Sequence, residues 1–197
     1  MNYLHWVART ILATVMSVEL LGSFNLLSLD PEFTWKGLLL QSGAILAVFE
    51  ILGWAVRRYK MDYVVGYSAL AAALLIAFDA IGDIQHLYGT FAWFDQAMHT
   101  LGGFIAGLTV TSLLAAVNRK NHGSTGITRS ELFVGGVTAA ATLGLIYELV
   151  EYYEDLFTGS HRLGDGFDTA QDLSLDLFGG MLAAFLVVAL PRLRFRR

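Results

Sequence analysis

The sequence predicts an all-α polytopic membrane protein of six transmembrane helices, and three observations carry that expectation. Apolar residues make up 55% of the 197-residue chain and charged ones only 15%, with a mean hydropathy of +0.56. Mostly apolar runs of about 20 residues, the length that crosses a bilayer core, recur along the chain. The connections between them are short and polar, leaving no stretch for a separate soluble domain, so residues 1–197 read as one transmembrane domain.

The spans fall at 6–27, 37–56, 63–87, 94–117, 132–157 and 169–190. The first has one basic residue and no small-residue cleavage site before the next span, so it is expected to be a retained helix rather than a signal peptide. Its Glu19, near mid-span, reads equally as a cavity-lining acid or as a helix–helix hydrogen-bonding group. In the second span Glu50 is expected to pair with Arg9 or Arg57. The third places Asp79, Asp83 and His86 at i, i+4 and i+7, on one helical face. Asp95 and His99 share a face of the fourth. Glu148, Glu151 and Asp155 share one of the fifth, and Asp168, Asp172 and Asp176 one of the sixth. Trp35, Tyr88 and Trp93 fall at span boundaries and read as an interfacial aromatic belt.

The basic residues set the expected orientation. If the chain alternates across six spans, Arg9, Arg57, Arg58, Lys60, Arg119, Lys120, Arg129, Arg192, Arg194, Arg196 and Arg197 lie on one side, and only Lys36 and Arg162 on the other. Lys and Arg accumulate in short cytoplasmic loops, so a prokaryotic inner-membrane protein with both termini cytoplasmic is expected. As topology determinants these clusters need no nucleic-acid partner, and the basic 192–197 run suits anionic lipid headgroups. Cysteine is absent, which excludes disulfides, iron–sulfur clusters and thiol catalysis.

One pattern is written twice. Asp95-Gln-Ala-Met-His99-Thr-Leu-Gly102-Gly103 recurs as Asp172-Leu-Ser-Leu-Asp176-Leu-Phe-Gly179-Gly180. Before it, Phe78-Asp79 and His86-Leu87-Tyr88 line up with Tyr147-Glu148 and Asp155-Leu156-Phe157. Residues 78–107 and 147–184 therefore read as a duplicated helical hairpin, the third and fourth spans against the fifth and sixth. Both hairpins run in the same direction, so they are expected to be related by an axis along the membrane normal. The paired glycines suit close approach of helix backbones.

Charges inside a bilayer are costly unless paired or solvated, so their recurrence at matched positions marks a candidate site. At 1.5 Å per residue the acids form two tiers. Asp79, His99, Glu148 and Asp176, deeper and each on a different helix, are the expected metal ligands. Asp83, His86, Asp95, Glu151, Asp155, Asp168 and Asp172 are expected to orient them or to line the way in. Hard oxygen ligands with an imidazole suit a divalent ion such as Mg, Mn, Fe or Zn. In the glycine-containing loop over this cluster, His161 and Arg162 are expected to contact an anion, with Arg162→Ala leaving metal binding and stability unchanged.

Phe94-Asp95-x-x-x-His99, Tyr147-Glu148-x-x-Glu151-Tyr152 and Gly164-Asp165-x-x-Asp168-x-x-x-Asp172-x-x-x-Asp176-x-x-Gly179 resemble the motifs of the YjdF-type family of bacterial inner-membrane proteins. A fainter similarity runs to VanZ-like membrane proteins. The resemblance implies a small polytopic membrane protein and carries over Asp95, His99, Glu148, Glu151, Asp168, Asp172 and Asp176 as motif residues, with no settled reaction. Three functions follow as expectations. One is a metal-dependent enzyme acting on a lipid-linked substrate at the outer leaflet. A second is a non-catalytic accessory or assembly subunit of a larger membrane complex. The third is a cation or proton transporter.

Overall fold

The computed structural model describes residues 3–56, 61–120 and 126–190. Within them the chain forms α1 (Tyr3–Ser23), α2 (Trp35–Val56), α3 (Asp62–Ile84), a single turn α4 (Leu87–Thr90), α5 (Ala92–Lys120), α6 (Arg129–Thr158) and α7 (Gly166–Ala189). All but α4 are long and apolar enough to cross a membrane. Many large side chains point outward, among them Trp54, Phe78, Leu145, Phe157 and Phe185. An apolar exterior of this kind is what lipid contact requires.

Local chemistry sets the helix ends. Thr128 caps α6 in a reciprocal box with Glu131, and the Asp165 carboxylate accepts the backbone N–H groups of Phe167 and Asp168 to start α7. Thr34 Oγ1 accepts the N–H of Gly37 at the start of α2. The third helix is shorter than expected. It stops at Ile84, and His86 takes a left-handed conformation (φ 55°) that starts α4. Leu87 and Tyr88 resume the apolar pattern after Asp83, Gln85 and His86, so the span reads on past the turn.

The helices divide into two packed groups. On one side α1, α2 and α3 share an apolar core of Ala8, Leu12, Phe49, Val65, Ala69, Ala72, Ala73 and Ile76. On the other, α5, α6 and α7 pack together, with α5 and α7 the closest pair. Glycine makes that approach possible. A Cβ on Gly103 would collide with the backbone of Asp176, and one on Gly179 with the carbonyl of Thr100. A Cβ on Gly107 would lie 2.8 Å from the Gly180 backbone. The α3 helix joins the groups by packing on α1, α2 and α5. Among the described residues, side-chain hydrogen bonds link this end of α2 to α6: Gln41 donates to Tyr147 Oη at 2.9 Å, and the hydroxyl of Thr34, just before α2, to Glu154.

At the end of the bundle where α1 and α2 point their N- and C-termini respectively, Glu50 accepts from Arg9 Nε and Nη2 and lies 3.1 Å from His5 Nε2. Arg9 is thus the partner of Glu50; Arg57 lies outside the described residues. Glu19 is fully buried and accepts the Ser42 hydroxyl at 2.8 Å, a hydrogen bond between α1 and α2.

Candidate functional site

The ionisable residues gather at the opposite end, beside the loops 24–34, 85–91 and 159–165, in two clusters. The first is built around His99. This side chain is 5% exposed and sits about 10 Å below the start of α5. Its Nε2 lies 3.7 Å from Asp95 Oδ1, 3.8 Å from Asp172 Oδ2 and 3.9 Å from Glu148 Oε1. On the far side of the ring, Nδ1 lies 3.3 Å from Asp176 Oδ2. Three helices therefore deliver four carboxylates to one imidazole. Helical geometry explains the supply: Asp95 and His99 are one turn apart on α5, as are Asp172 and Asp176 on α7. The glycine contacts between α5 and α7 bring those two faces together. Neither oxygen of Glu148 nor Oδ1 of Asp172 has a hydrogen-bond partner among the described residues, although both side chains are buried.

The three contacts to Nε2 are too long for hydrogen bonds, whose N···O distances run to about 3.2 Å. They match the spacing of atoms that share an ion, since ligands about 2.1 Å from a metal stand roughly 3–4 Å from one another. Asp95, His99 and Asp172 form a group able to hold a metal ion. Asp176 occupies the place of the carboxylate that commonly orients a ligating histidine through its other nitrogen.

The second cluster is built around Arg162. The chain carries this residue back from the 159–165 loop into the bundle, where its side chain is 4% exposed. Its Nε donates to Glu151 at 2.9 Å, and its Nη2 donates to Tyr147 at 2.8 Å and Gln41 at 3.4 Å. Nη2 also lies 3.7 Å from Asp79, and the guanidinium stacks 4.9 Å from the Phe33 ring centroid. Burial by itself pulls the Arg162 pKa down, but Tyr147, Asp79 and Glu151 around it hold it above the ordinary arginine value. Tyr147 separates the clusters, its ring edge-on to His99 at 5.5 Å.

Several sequence expectations change against this geometry. Asp79 faces Arg162 and accepts the Tyr88 hydroxyl, so it stands in the second cluster and not with His99. Tyr88 accordingly turns inward, between Phe33 and Phe94, instead of joining an interfacial belt. His86, after the end of α3, is exposed and shares no face with Asp79 and Asp83. Asp83 is fully buried and holds the 24–34 loop, its carboxylate accepting Phe33 N–H at 2.9 Å and its carbonyl Glu32 N–H at 3.2 Å. Asp155 is a clasp for the 159–165 loop: it accepts the Ser160 hydroxyl and the N–H groups of Arg162 and Leu163. Asp168 is half-buried and His161 exposed. Arg162 is a buried counter-ion for Glu151 and Asp79, so its removal is expected to lower stability rather than leave it unchanged.

Sequence reasoning missed Glu154, which is 8% exposed and bonded to Thr34. Its spacing of three from Glu151 carried the signal, since i and i+3 share a face.

An all-α bundle of six apolar helices around buried acids defines an integral membrane protein with a polar centre. The chain belongs to the family described as predicted membrane protein (DUF2238), whose model matches residues 6–192. No curated protein and no solved structure matches it.

Proposed function

We propose that this protein, a YjdF-type member of its family, binds a divalent cation between His99 Nε2, Asp95 and Asp172, with Glu148 closing the site from α6 and Asp176 orienting the imidazole. The observation that carries the reading is the near-equal spacing of 3.7, 3.8 and 3.9 Å from one ring nitrogen to three carboxylates on three helices. Four carboxylates around one imidazole are also mutually repulsive in a low dielectric, and a dication relieves that repulsion. Mg, Mn, Fe and Zn all accept this donor set.

A cation held there would supply Lewis-acid chemistry to a lipid-linked substrate. Asp95 supports this reading, because its side chain is 31% exposed beside an otherwise buried histidine, giving the centre one accessible flank. An accessory subunit of a membrane complex is the second reading, favoured by the way the centre ties α5, α6 and α7 together. A stable partner at fixed stoichiometry on gentle purification selects the subunit; turnover by the isolated protein selects the enzyme.

Elemental analysis tests the cation directly. Protein purified without chelators is expected to carry near-stoichiometric divalent metal. His99→Ala is expected to abolish it and to lower thermal stability. Asp176→Asn, which alters the partner of Nδ1 and none of the three carboxylates around Nε2, is expected to weaken metal affinity by about 10–100-fold without abolishing it. Metal-free wild-type protein that gains no stability from any added divalent ion would sink the proposal and leave a protonated hydrogen-bonded network.

The orientation we propose has both termini in the cytoplasm and the 159–165 loop outside. Ser124 lies outside the described residues, so Ser160 is the better reporter. In this cysteine-free chain, Ser160→Cys is expected to react with an impermeant thiol reagent added to intact cells. Labelling only after the membrane is opened would reverse the topology.

A further inference from the structure

The narrow crevice between α2 and α6 is lined by Gly37 and Gln41 on one side, Tyr147, Val150, Glu151 and Glu154 on the other, and Arg162. Two features of it have no role in the cation centre. Arg162 is buried and its Nη1 has no hydrogen-bond partner among the described residues. A guanidinium offers five N–H donors, and those on Nη1 are idle in a place where an unmade bond is costly. Glu154, lining the same crevice, engages the Thr34 hydroxyl through Oε1.

The crevice lies between two helices that pack on different neighbours. The α2 helix packs on α1 and α3, and α6 packs on α5 and α7. Between them stand the side-chain bridges Gln41–Tyr147 and Thr34–Glu154, which part without separating packed backbones. Gly37, Gln41, Glu151 and Glu154 lie within about 11 Å of their helix ends, the depth of lipid headgroups and glycerol esters.

Charge selects the occupant. Asp79 and Glu151 already face Arg162, and Glu154 adds another carboxylate to the wall. A purely anionic group would meet net repulsion there. A group pairing a phosphate with a primary ammonium matches both features, the phosphate accepting from Arg162 Nη1 and the ammonium donating to Glu154. We propose that the α2–α6 crevice is a binding site for the phosphoethanolamine headgroup of a membrane lipid, entering sideways from the leaflet at this end of the bundle. The site does not depend on a cation at His99.

Native mass spectrometry of the detergent-purified full chain, with phosphatidylethanolamine, phosphatidylcholine or phosphatidylglycerol added, tests this. Ethanolamine lipid is expected to be retained about tenfold better than the other two, the size of one charge-assisted hydrogen bond. Choline cannot donate to Glu154, and the glycerol headgroup brings no cation. Glu154→Gln keeps an acceptor for Thr34 and removes the charge, so it should erase the preference while the protein unfolds at its usual temperature. Arg162→Lys should weaken retention of ethanolamine lipid. If that variant does not fold, Glu154→Gln decides alone. Equal retention of the three lipids, or a preference that survives in Glu154→Gln, overturns the proposal. Competition by soluble phosphoethanolamine at similar concentration overturns the lipid source, since chains lying in the bilayer beside the crevice should hold the headgroup far better.

Discussion

Arg162→Ala is expected to be the most damaging single change in the protein. The substitution leaves Glu151 and Asp79 buried without their cation, and breaking a buried pair from one side costs about 3–5 kcal/mol. In a chain of this size that lowers the unfolding midpoint by roughly 6–20 °C. Thermal unfolding in detergent reads it. Adding Glu151→Gln to Arg162→Ala is expected to recover part of the loss, because it removes one of the stranded charges. A midpoint that does not move would show that Asp79 and Glu151 do not depend on Arg162 for their charge balance.

Gly179→Ala should be nearly as severe by a different mechanism. One methyl group meets the backbone of Thr100, which has no rotamer with which to give way, so α5 and α7 must separate. Overpacking of this kind costs about 1–3 kcal/mol. The displacement also has a chemical readout, because α7 carries Asp172 and Asp176 to His99 on α5. Gly179→Ala is expected to reduce bound metal as well as thermal stability. Gly102→Ala is the control: a Cβ there would have Leu75 as its nearest neighbour, at 3.9 Å, and should be tolerated. Equal metal content in both variants would disconnect the glycine contact from the centre.

The sequence makes some of this legible and hides the rest for identifiable reasons. Hydropathy reads each span because the bilayer demands about 20 apolar residues whatever the tertiary fold. Depth along a helix is also readable, and Asp79, His99, Glu148 and Asp176 do lie in the same half of the bundle. Neighbour choice is not readable. Asp79 and His99 have similar depths, yet α3 turns Asp79 toward Arg162, and nothing in either helix announces that. Arg162 itself stands in a polar, glycine-containing loop, so local composition gives it a solvent position. Its burial comes from Glu151 and Tyr147, 11 and 15 residues back on the preceding helix, and from Gln41, 121 residues away on α2. The sequence does not place His86, because apolar Leu87 and Tyr88 follow it directly and Gly89 falls beyond the residue that turns.

The Asp155 clasp makes the short segment before Arg162 a measured strap. Ser160, Arg162 and Leu163 are all tied to one carboxylate on the last turn of α6, so the reach of the guanidinium into the bundle is set by chain length. An added or deleted residue between Thr158 and Arg162 would shift the arginine out of register with Glu151, however conservative its chemistry. Loops on a membrane protein's surface are the usual place to splice an epitope or a fluorescent reporter. Here that position would behave as an internal one, and an inserted label is better carried elsewhere.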